Sequence, residues 1–329
     1  MSVIVEPREV KLSTRTETIV RRLLPHAKLR RIGAWVFLDH FGPTPQVHGM
    51  QVQRHPHTAL QTVTWLFDGR VEHRDSIGSV QVIEPGQLNL MTAGRGVAHS
   101  EQSVVTSEQS IAGANSQHAV QLWLALPEAV KDMVPMFEHH DRLPELRLDA
   151  ITARVFIGAL AGIESPARVF SPLVGAELVV RGRSWLPLRP GWQHGLLVVD
   201  GKLKVEAPAN TPVAVDLNEL VYLEPLPNPP APMPNAPEPA AGFGVWLEPA
   251  EGASARVILI GGEPFDEEII MWWNFIARTP EELQAVRTEW NEAKTGEASD
   301  RFPFFEDGLG GWIPAPELPN VTLRPRGSN

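Results

Sequence analysis

The chain has 329 residues, of which 43% are hydrophobic, and this is enough for two domains or one large one with real cores. It contains no cysteine, so disulfides and thiolate ligands are excluded and any metal must use nitrogen and oxygen ligands. The net charge of −10, without a block of like charges, argues against a nucleic-acid surface. Because no apolar run approaches the ~20 residues of a membrane span and the first thirty residues lack a signal core, we expect a soluble cytoplasmic protein.

Short strands separated by turns are predicted throughout the first half of the chain. The 31 prolines and 26 glycines favour this organisation over long helices. Asp39–Pro43 is predicted to end the first strand in a turn, and Asp68-Gly69 marks another turn. We expect antiparallel strands that fold back on one another between Gly49 and Glu101. The predicted strands are Val36–Leu38, Gln61–Phe67, Val71–Asp75, Ser79–Ile83, Gln87–Met91 and Val120–Leu126.

The second half of the chain repeats this pattern. Its predicted strands are Ala153–Ile157, Ala176–Val180, Gly195–Val199, Lys202–Val205, Glu219–Leu223 and Arg256–Ile260. Asp200-Gly201 is a strong hairpin signal, and it corresponds to Asp68-Gly69 in the first half. The correspondence suggests two copies of one barrel, although the second half contains no His-x-His or His-x-Glu. Pro225–Ala241, with eight prolines, is predicted to be an extended exposed loop or linker of unknown role.

One helix is predicted near the C-terminus. Thr279 is a candidate N-cap, Pro280 suits the first helical position, and Glu282 completes a capping box. Gly296 is a candidate stop signal. An apolar stripe along the helix consists of Leu283, Val286 and Trp290.

Two tripeptides are the candidate functional site. His55-Pro56-His57 and His99-Ser100-Glu101 each place two ligating residues at positions i and i+2. Side chains with this spacing point to the same face of a strand. If the two strands are neighbours, three imidazoles and one carboxylate converge on one point, which is a suitable ligand set for a divalent transition metal. An isolated histidine would be better explained as an ordinary core or surface residue, but two same-face pairs favour a metal.

Several motifs together resemble the pirin family. The resemblance covers most of the chain, and the block Met91–Glu101 is its most specific part. Towards the C-terminus, Gly261–Pro264 and Thr279–Glu282 are also similar to the family. The other matching segments are Phe37–Pro43, His55–His57, Gln61–Thr64 and Gln121–Trp123.

The resemblance implies an all-β bicupin, in which two face-to-face antiparallel β-barrels are followed by a short C-terminal helix. The expected domains are a metal-binding cupin at 1–140, a degenerate cupin at 141–270, and a helix with a surface tail at 271–329. The resemblance also implies a mononuclear iron(II) site in the first barrel, with other divalent transition metals as alternatives. The implied metal ligands are His55, His57, His99 and Glu101. Gln61 stands where family members commonly carry glutamate, but that position is not a ligand in pirins.

Two functions follow from the resemblance. The first is a dioxygenase that acts on a flavonol such as quercetin or a similar small aromatic, with Glu101 as the catalytic group that takes the proton of the substrate hydroxyl. The alternative is a non-enzymatic regulator that senses redox state through iron and binds a protein partner, such as a transcription factor or a metabolic enzyme. A third, weaker hypothesis places a small-molecule site in the mouth of the second barrel.

The remaining histidines carry weaker hypotheses. His40 and His48 flank the site and are candidates for supporting or substrate-contacting roles. His118 is a candidate for the barrel mouth, although a structural role is the simpler interpretation. Four others are interpreted as solvated or structural: His73, His139, His140 and His194.

Overall fold

The structure is a computed structural model that describes residues 2–11, 19–45, 50–104, 116–208, 211–225, 243–293, 299–321 and 323–327. The described residues form 25 strands and one helix, which confirms the predicted all-β class with a short C-terminal helix. Among them, no helix combines the length and apolar character that a membrane crossing requires. His48, Gly49, Gly296 and almost all of the proline-rich segment lie outside the described residues.

The chain packs into two compact units, each assembled from three segments. We call them the N-unit and the C-unit. The domains expected from the sequence are instead continuous stretches of chain with boundaries after residues 140 and 270, and this division stays a prediction. The N-unit comprises Glu9–Val20, Phe37–Asp141 and Asp266–Asn329, and the C-unit comprises Met1–Arg8, Arg21–Val36 and Arg142–Phe265.

Most of the N-unit consists of two antiparallel sheets. The larger has seven strands in the order β12 (Met136–His140), β9 (Leu88–Thr92), β6 (Leu60–Asp68), β11 (Ser116–Ala125), β4 (Trp35–Pro45), β3 (Ile19–Leu24) and β2 (Arg8–Lys11). Of the last three strands, Phe37–Pro45, Ile19–Val20 and Glu9–Lys11 belong to the N-unit and the remaining residues to the C-unit. The smaller has four, in the order β5 (Gln51–His57), β10 (Val97–Ser103), β7 (Val71–Asp75) and β8 (Val80–Ile83). A separate hairpin is formed by β24 (Ile270–Trp272) and β25 (Phe275–Ala277).

The C-unit has the same two-sheet arrangement. Its larger sheet has the order β1 (Ser2–Val5), β21 (Leu220–Leu223), β18 (Gln193–Asp200), β23 (Ala255–Gly262), β16 (Leu173–Val180), β14 (Ile151–Leu160) and β13 (Glu145–Leu148), with β15 (Ile163–Glu164) paired to β14. Its smaller sheet has the order β17 (Ser184–Pro187), β22 (Gly244–Pro249), β19 (Leu203–Glu206) and β20 (Val213–Val215). A large cluster of buried apolar side chains lies in this unit.

The strand orders show that the two units are copies of one topology. In the smaller sheets, β5-β10-β7-β8 corresponds to β17-β22-β19-β20, and in the larger sheets β9-β6-β11-β4 corresponds to β21-β18-β23-β16. Every strand of the second copy follows its counterpart by twelve positions in chain order. The repeat suggested by the two Asp-Gly turns is therefore present in the fold.

Two turn predictions were wrong. Asp200-Gly201 was predicted to form a hairpin, but β18 and β19 lie in different sheets, and Asp68-Gly69 likewise leads from β6 in one sheet to β7 in the other. Gly69 and Gly201 have φ angles of 89° and 78°, so each supplies the left-handed backbone of a sharp turn without folding two strands onto each other. Asp39–Pro43 does not end a strand, because β4 continues to Pro45.

The helix α1 (Pro280–Glu292) begins as the sequence predicts. The Thr279 side chain accepts a hydrogen bond from the Glu282 amide, and the Glu282 carboxylate accepts from the Arg278 amide. The predicted apolar stripe is buried. It packs in a cluster with Phe275, Phe302 and Ala98. Since Ala98 and His99 point to opposite faces of β10, this cluster lies behind the strand that carries His99.

His194 on β18 provides a pH-dependent term in the stability of the C-unit. Burial lowers its pKa from 6.5 to about 4, and only a hydrogen bond to the Trp192 carbonyl opposes this. Because the folded pKa lies below the unfolded one, the unfolded chain binds more protons between these values. The free energy of unfolding therefore falls as the pH drops from about 6.5 towards 4.

We expect His194→Gln to lose this pH dependence, which amounts to roughly 3 kcal/mol across that range. Urea unfolding of the full chain at several pH values between 4 and 7, followed by tryptophan fluorescence, measures the difference in slope between wild type and variant. Identical slopes would show that the buried His194 does not titrate with a lowered pKa. A uniform loss of stability at every pH is a packing effect and leaves the comparison of slopes intact.

Candidate metal centre

The position of β10 between β5 and β7 brings the predicted ligands together. In the β5–β10 pairing, His99 lies opposite His55 and Val97 lies opposite His57. The ring centroids of His55 and His99 are 4.3 Å apart, and the other two distances among the three rings are 5.0 and 5.1 Å. Each histidine offers one nitrogen within 4.8 Å of the others, and all three are buried. The two sequence motifs therefore meet inside the N-unit.

Glu101 belongs to a second group of side chains that shares His99. In the β7–β10 pairing, Glu101 lies opposite His73 and His99 lies opposite Asp75. Ligating atoms of His73, His99 and Glu101 lie within 4.8 Å of one another. A bulge between His99 and Glu101 interrupts the pairing with β5. The structure thus brings three of the four predicted ligands into one group and holds Glu101 beside it, next to His73.

The hydrogen bonds of the three imidazoles leave nitrogen atoms available to a metal. His55 donates from Nδ1 to the Gln53 carbonyl at 2.8 Å, so its Nε2 is unprotonated. His57 bonds to the Asn274 carbonyl, while its Nδ1 is buried without a hydrogen-bond partner. His99 Nε2 is also buried without one. An unpaired polar atom in the interior is costly, and these nitrogens are the donors that divalent transition metals bind. The residues therefore fit such an ion.

Burial controls the protonation of the site. It lowers the pKa of His55 to about 4 and holds the pKa values of His57 and His99 well below their usual range. The imidazoles are therefore neutral at pH 7 and keep the lone pairs that ligation requires. The same burial raises the pKa of Glu101, which accepts a hydrogen bond from the Thr64 hydroxyl at 3.3 Å.

Aromatic side chains exclude water from one side of the site. Trp123 on β11 meets the His57 ring edge-on, with centroids 5.0 Å apart and planes at 72°. Phe37 on β4 stacks on Trp123 at 3.8 Å. This wall lowers the local dielectric, which strengthens the electrostatic interactions of any ion bound there.

Comparison with known proteins identifies the family. A model described as pirin matches residues 15–124, and a model described as pirin C-terminal cupin domain matches residues 239–296. A Pseudomonas aeruginosa protein named "Putative quercetin 2,3-dioxygenase" is 41% identical over 304 residues, which cover 91% of this chain and 86% of the relative. The chain belongs to the pirin family. Another pirin relative, from Caulobacter vibrioides, is 31% identical over 311 residues and covers 91% of this chain and 94% of that protein.

A solved structure confirms the bicupin fold of this pirin. The crystal structure of a quercetin 2,3-dioxygenase from Acinetobacter baumannii superimposes with a TM-score of 0.83 at 34% identity, covering 100% of this chain and 98% of that one. The fold class implied by the sequence resemblance is therefore correct.

The internal repeat shows what replaces the ligands in the C-unit of this pirin. Matching the strand pairings of β17, β19 and β22 to those of β5, β7 and β10 aligns the inward positions of the two small sheets. The residues at these positions in the C-unit are apolar except Ser184, whose hydroxyl donates to the Leu148 carbonyl and accepts from the Ala150 amide. In the order of His55, His57, His99, Glu101, His73 and Asp75, the replacements are Ser184, Leu186, Leu247, Pro249, Leu203 and Val205.

His73, interpreted from the sequence as solvated or structural, is not solvated but buried against His99. The sequence did contain a signal, since His73-x-Asp75 is a same-face pair like the other two and lies on a predicted strand. The carbonyl of Asn274 could not be anticipated, because it is more than 200 residues away from His57 in the chain.

Two further histidines form a separate pair. His40 and His118 are buried with their Nε2 atoms 2.8 Å apart, and the ring of Phe67 lies beside both. Neither belongs to the groups that could hold a metal. Gln61 does not join those groups either, and its amide donates to the Thr92 hydroxyl at 2.9 Å.

The C-unit has a cavity of about 110 Å³ that bears on the third hypothesis. Its lining includes Leu160, Leu188, Trp192 and His194. Pockets that bury drug-sized ligands measure roughly 300–1,000 Å³, so this cavity is too small for a flavonol.

Proposed function

We propose that the N-unit holds one divalent transition metal and that the protein is a metal-dependent dioxygenase of flavonol-type aromatics such as quercetin. The observation that carries the proposal is the group of three buried, neutral imidazoles, two of which have a nitrogen without a hydrogen-bond partner. Iron(II) is the ion that the family favours. The donor set of nitrogen and carboxylate oxygen is also compatible with manganese, cobalt, nickel, copper or zinc.

The four proposed ligands have distinct supports. His55 and His57 are held by backbone carbonyls, and His99 lies between them and Glu101. We assign Glu101 as the fourth ligand, because its carboxylate is buried beside His99 and supplies the negative charge that three neutral imidazoles lack. When bound, the metal would act as a Lewis acid that lowers the pKa of a substrate hydroxyl.

Glu101 is also the proposed proton acceptor. Burial raises its pKa, which makes its carboxylate a stronger base than an exposed glutamate. The Thr64 hydroxyl can donate to only one acceptor at a time, and both Glu101 and Gln121 lie within reach, at 3.3 and 3.1 Å. Thr64 can therefore release Glu101 when the carboxylate takes the proton of the substrate hydroxyl.

The names of two relatives support the substrate class. The Pseudomonas aeruginosa relative at 41% identity is named "Putative quercetin 2,3-dioxygenase", and the Acinetobacter baumannii structure at 34% identity is named "Quercetin 2,3-dioxygenase". Both matches extend over nine tenths or more of this chain. The cytoplasmic location expected from the sequence stays a prediction.

We expect the purified protein to bind close to one equivalent of iron(II) per chain under anaerobic conditions. His57→Ala removes one imidazole and should lower the bound metal severalfold, as measured by elemental analysis after gel filtration. His140→Ala is the matched control, because His140 lies on β12 with Glu138 as its partner and belongs to neither ligand group. Equal metal content in His57→Ala and wild type would refute the assignment of the site.

Turnover is the test of the activity. Iron-loaded protein with quercetin under air should consume oxygen and release carbon monoxide, and Glu101→Gln should reduce kcat by at least about a hundredfold, since a positioned base contributes 10²–10⁴. His140→Ala should retain the wild-type rate. An oxygen electrode measures the consumption of oxygen, and carbon monoxide detection measures the product.

The alternative function, a redox-sensing regulator, predicts a different result in the same assay. The protein would bind iron at the same side chains and oxidise it reversibly, yet leave quercetin and related flavonols unchanged. A protein partner whose affinity depends on the iron oxidation state would then support the regulator, and flavonol turnover would exclude it as the sole role.

A further inference from the structure

We propose that Asp75 and His73 form a hydrogen-bonded relay that fixes the tautomer of His99 and presents its unprotonated Nε2 to the metal. The inference rests on the proposed metal centre and adds two positioning residues to it. Neither residue is among the ligands assigned above.

The geometry of the small sheet places the three side chains in a row. Asp75 lies opposite His99 across β7 and β10, and His73 lies on the same face two residues earlier. The Nδ1 atoms of His73 and His99 are 3.3 Å apart, and His73 Nε2 lies 3.1 Å from Asp75 Oδ2. All three side chains are buried, so water does not compete for these hydrogen bonds.

Asp75 sets the direction of the relay because its carboxylate accepts hydrogen bonds. Its Oδ1 accepts from the amides of Ile77 and Ser79 at 3.1 and 2.8 Å, which leaves Oδ2 to accept from His73 Nε2. A neutral His73 with its proton on Nε2 has a lone pair on Nδ1. That lone pair accepts from His99 Nδ1, and His99 Nε2 is then unprotonated. This is the atom that is buried without a hydrogen-bond partner.

The plane of the His73 ring is also held in place. Phe137 on β12 stacks on it with centroids 4.6 Å apart and planes at 19°. His73 therefore has little freedom to rotate away from His99. Stacking and hydrogen bonds at both nitrogens fix the His73 ring. The carboxylate of Asp75 can therefore determine, through His73, which nitrogen of His99 carries the proton.

His99 differs from the other two imidazoles in the group that orients it. Neutral backbone carbonyls orient His55 and His57, whereas His99 is oriented through His73 by a carboxylate. A carboxylate partner increases the basicity of a metal-bound imidazole, and removal of such partners typically costs 10–100-fold in metal affinity. We infer that, among the three imidazole ligands, His99 is the one whose affinity for the metal is set by side chains and not by a backbone carbonyl.

Asp75→Asn is the decisive variant. The asparagine Oδ1 can keep both amide hydrogen bonds, so its NH₂ group would face His73 Nε2. His73 must then accept at Nε2 and carry its proton on Nδ1, and His99 in turn must accept at Nδ1 and carry its proton on Nε2, the ligating atom. An Asp-to-Asn change that leaves the geometry intact but imposes the wrong histidine tautomer is known from the serine protease triad.

The expected result is a 10–100-fold loss of zinc(II) affinity in Asp75→Asn, measured by competition with a chromophoric chelator. Glu72→Gln is the matched control, since it removes a carboxylate from the same strand, where Glu72 bonds to Arg74 and Gln102. His73→Phe, which preserves the stack on Phe137 but cannot form the hydrogen bonds, should lose affinity like Asp75→Asn. Wild-type affinity in either relay variant would overturn the proposal.

A second measurement needs neither metal nor activity. In metal-free protein labelled with ¹⁵N-histidine, long-range NMR spectra should show His99 protonated at Nδ1 in the wild type and at Nε2 in Asp75→Asn. A wild-type His99 protonated at Nε2 would refute the relay even if the protein oxidises quercetin. If the tautomers and zinc affinities change as expected and quercetin is not oxidised, the dioxygenase proposal fails and the relay stands.

Discussion

Desolvation of three neighbouring imidazoles is the constraint on which the site depends. Their ring centroids lie within 4.3–5.1 Å, and burial lowers the pKa of each. Protonation of any of them would place a desolvated positive charge in the interior, so the cluster stays neutral at physiological pH. A buried neutral cluster with unpartnered nitrogens is costly unless a cation occupies it. The fold maintains this arrangement because strong pairing on both sides of β10 determines where each ring lies.

The C-terminal segment contributes to this constraint from outside the barrel. The hairpin of β24 and β25 turns at Trp273 and Asn274, and Trp273 has a φ of 52°. A bulky residue in the left-handed region is strained by about 1–3 kcal/mol, and such strain is most often found at functional sites. Here the turn directs the Asn274 carbonyl at His57. Trp273 is held by an edge-on contact with Phe275, which is fully buried.

The same segment supports the strand that carries His55 and His57. The Arg54 carbonyl accepts from the Ile313 amide, and the Arg54 guanidinium lies over the ring of Phe304 at 4.4 Å. The amide of Ile276 donates to the Thr58 carbonyl just beyond β5. The tail therefore pairs with the edge strand β5 and covers backbone groups that would otherwise be exposed. This support is consistent with a site that requires fixed ring positions.

Much of this architecture could be predicted from the sequence, and the exceptions have physical causes. Spacing of two residues placed His55 with His57 and His99 with Glu101 on one face each, because strands have a period of two. The bulge between His99 and Glu101 could not be predicted, since it is a property of how two strands pair and not of either strand alone. The Asp-Gly turns were recognised as turns, but the sequence does not state whether the next strand joins the same sheet or the other one. The spacing of His73 and Asp75 places them on one face of a strand, but their position beside His99 could not be predicted, because it depends on which strand pairs with β10.

The C-unit shows that the topology alone does not create the site. It repeats the strand order of the N-unit, yet leucine, valine and proline occupy all but one of the inward positions that correspond to the ligands and to the relay. The replacement is complete, because the counterparts of His73 and Asp75, Leu203 and Val205, are apolar as well. Without His99, the Nδ1 atom of His73 would be buried with no hydrogen-bond partner, and an unpaired buried polar atom is costly. If Asp75 and His73 orient His99, the C-unit is expected to lack the relay residues wherever it lacks the ligands. The observed replacement of both groups favours this role over a separate structural one.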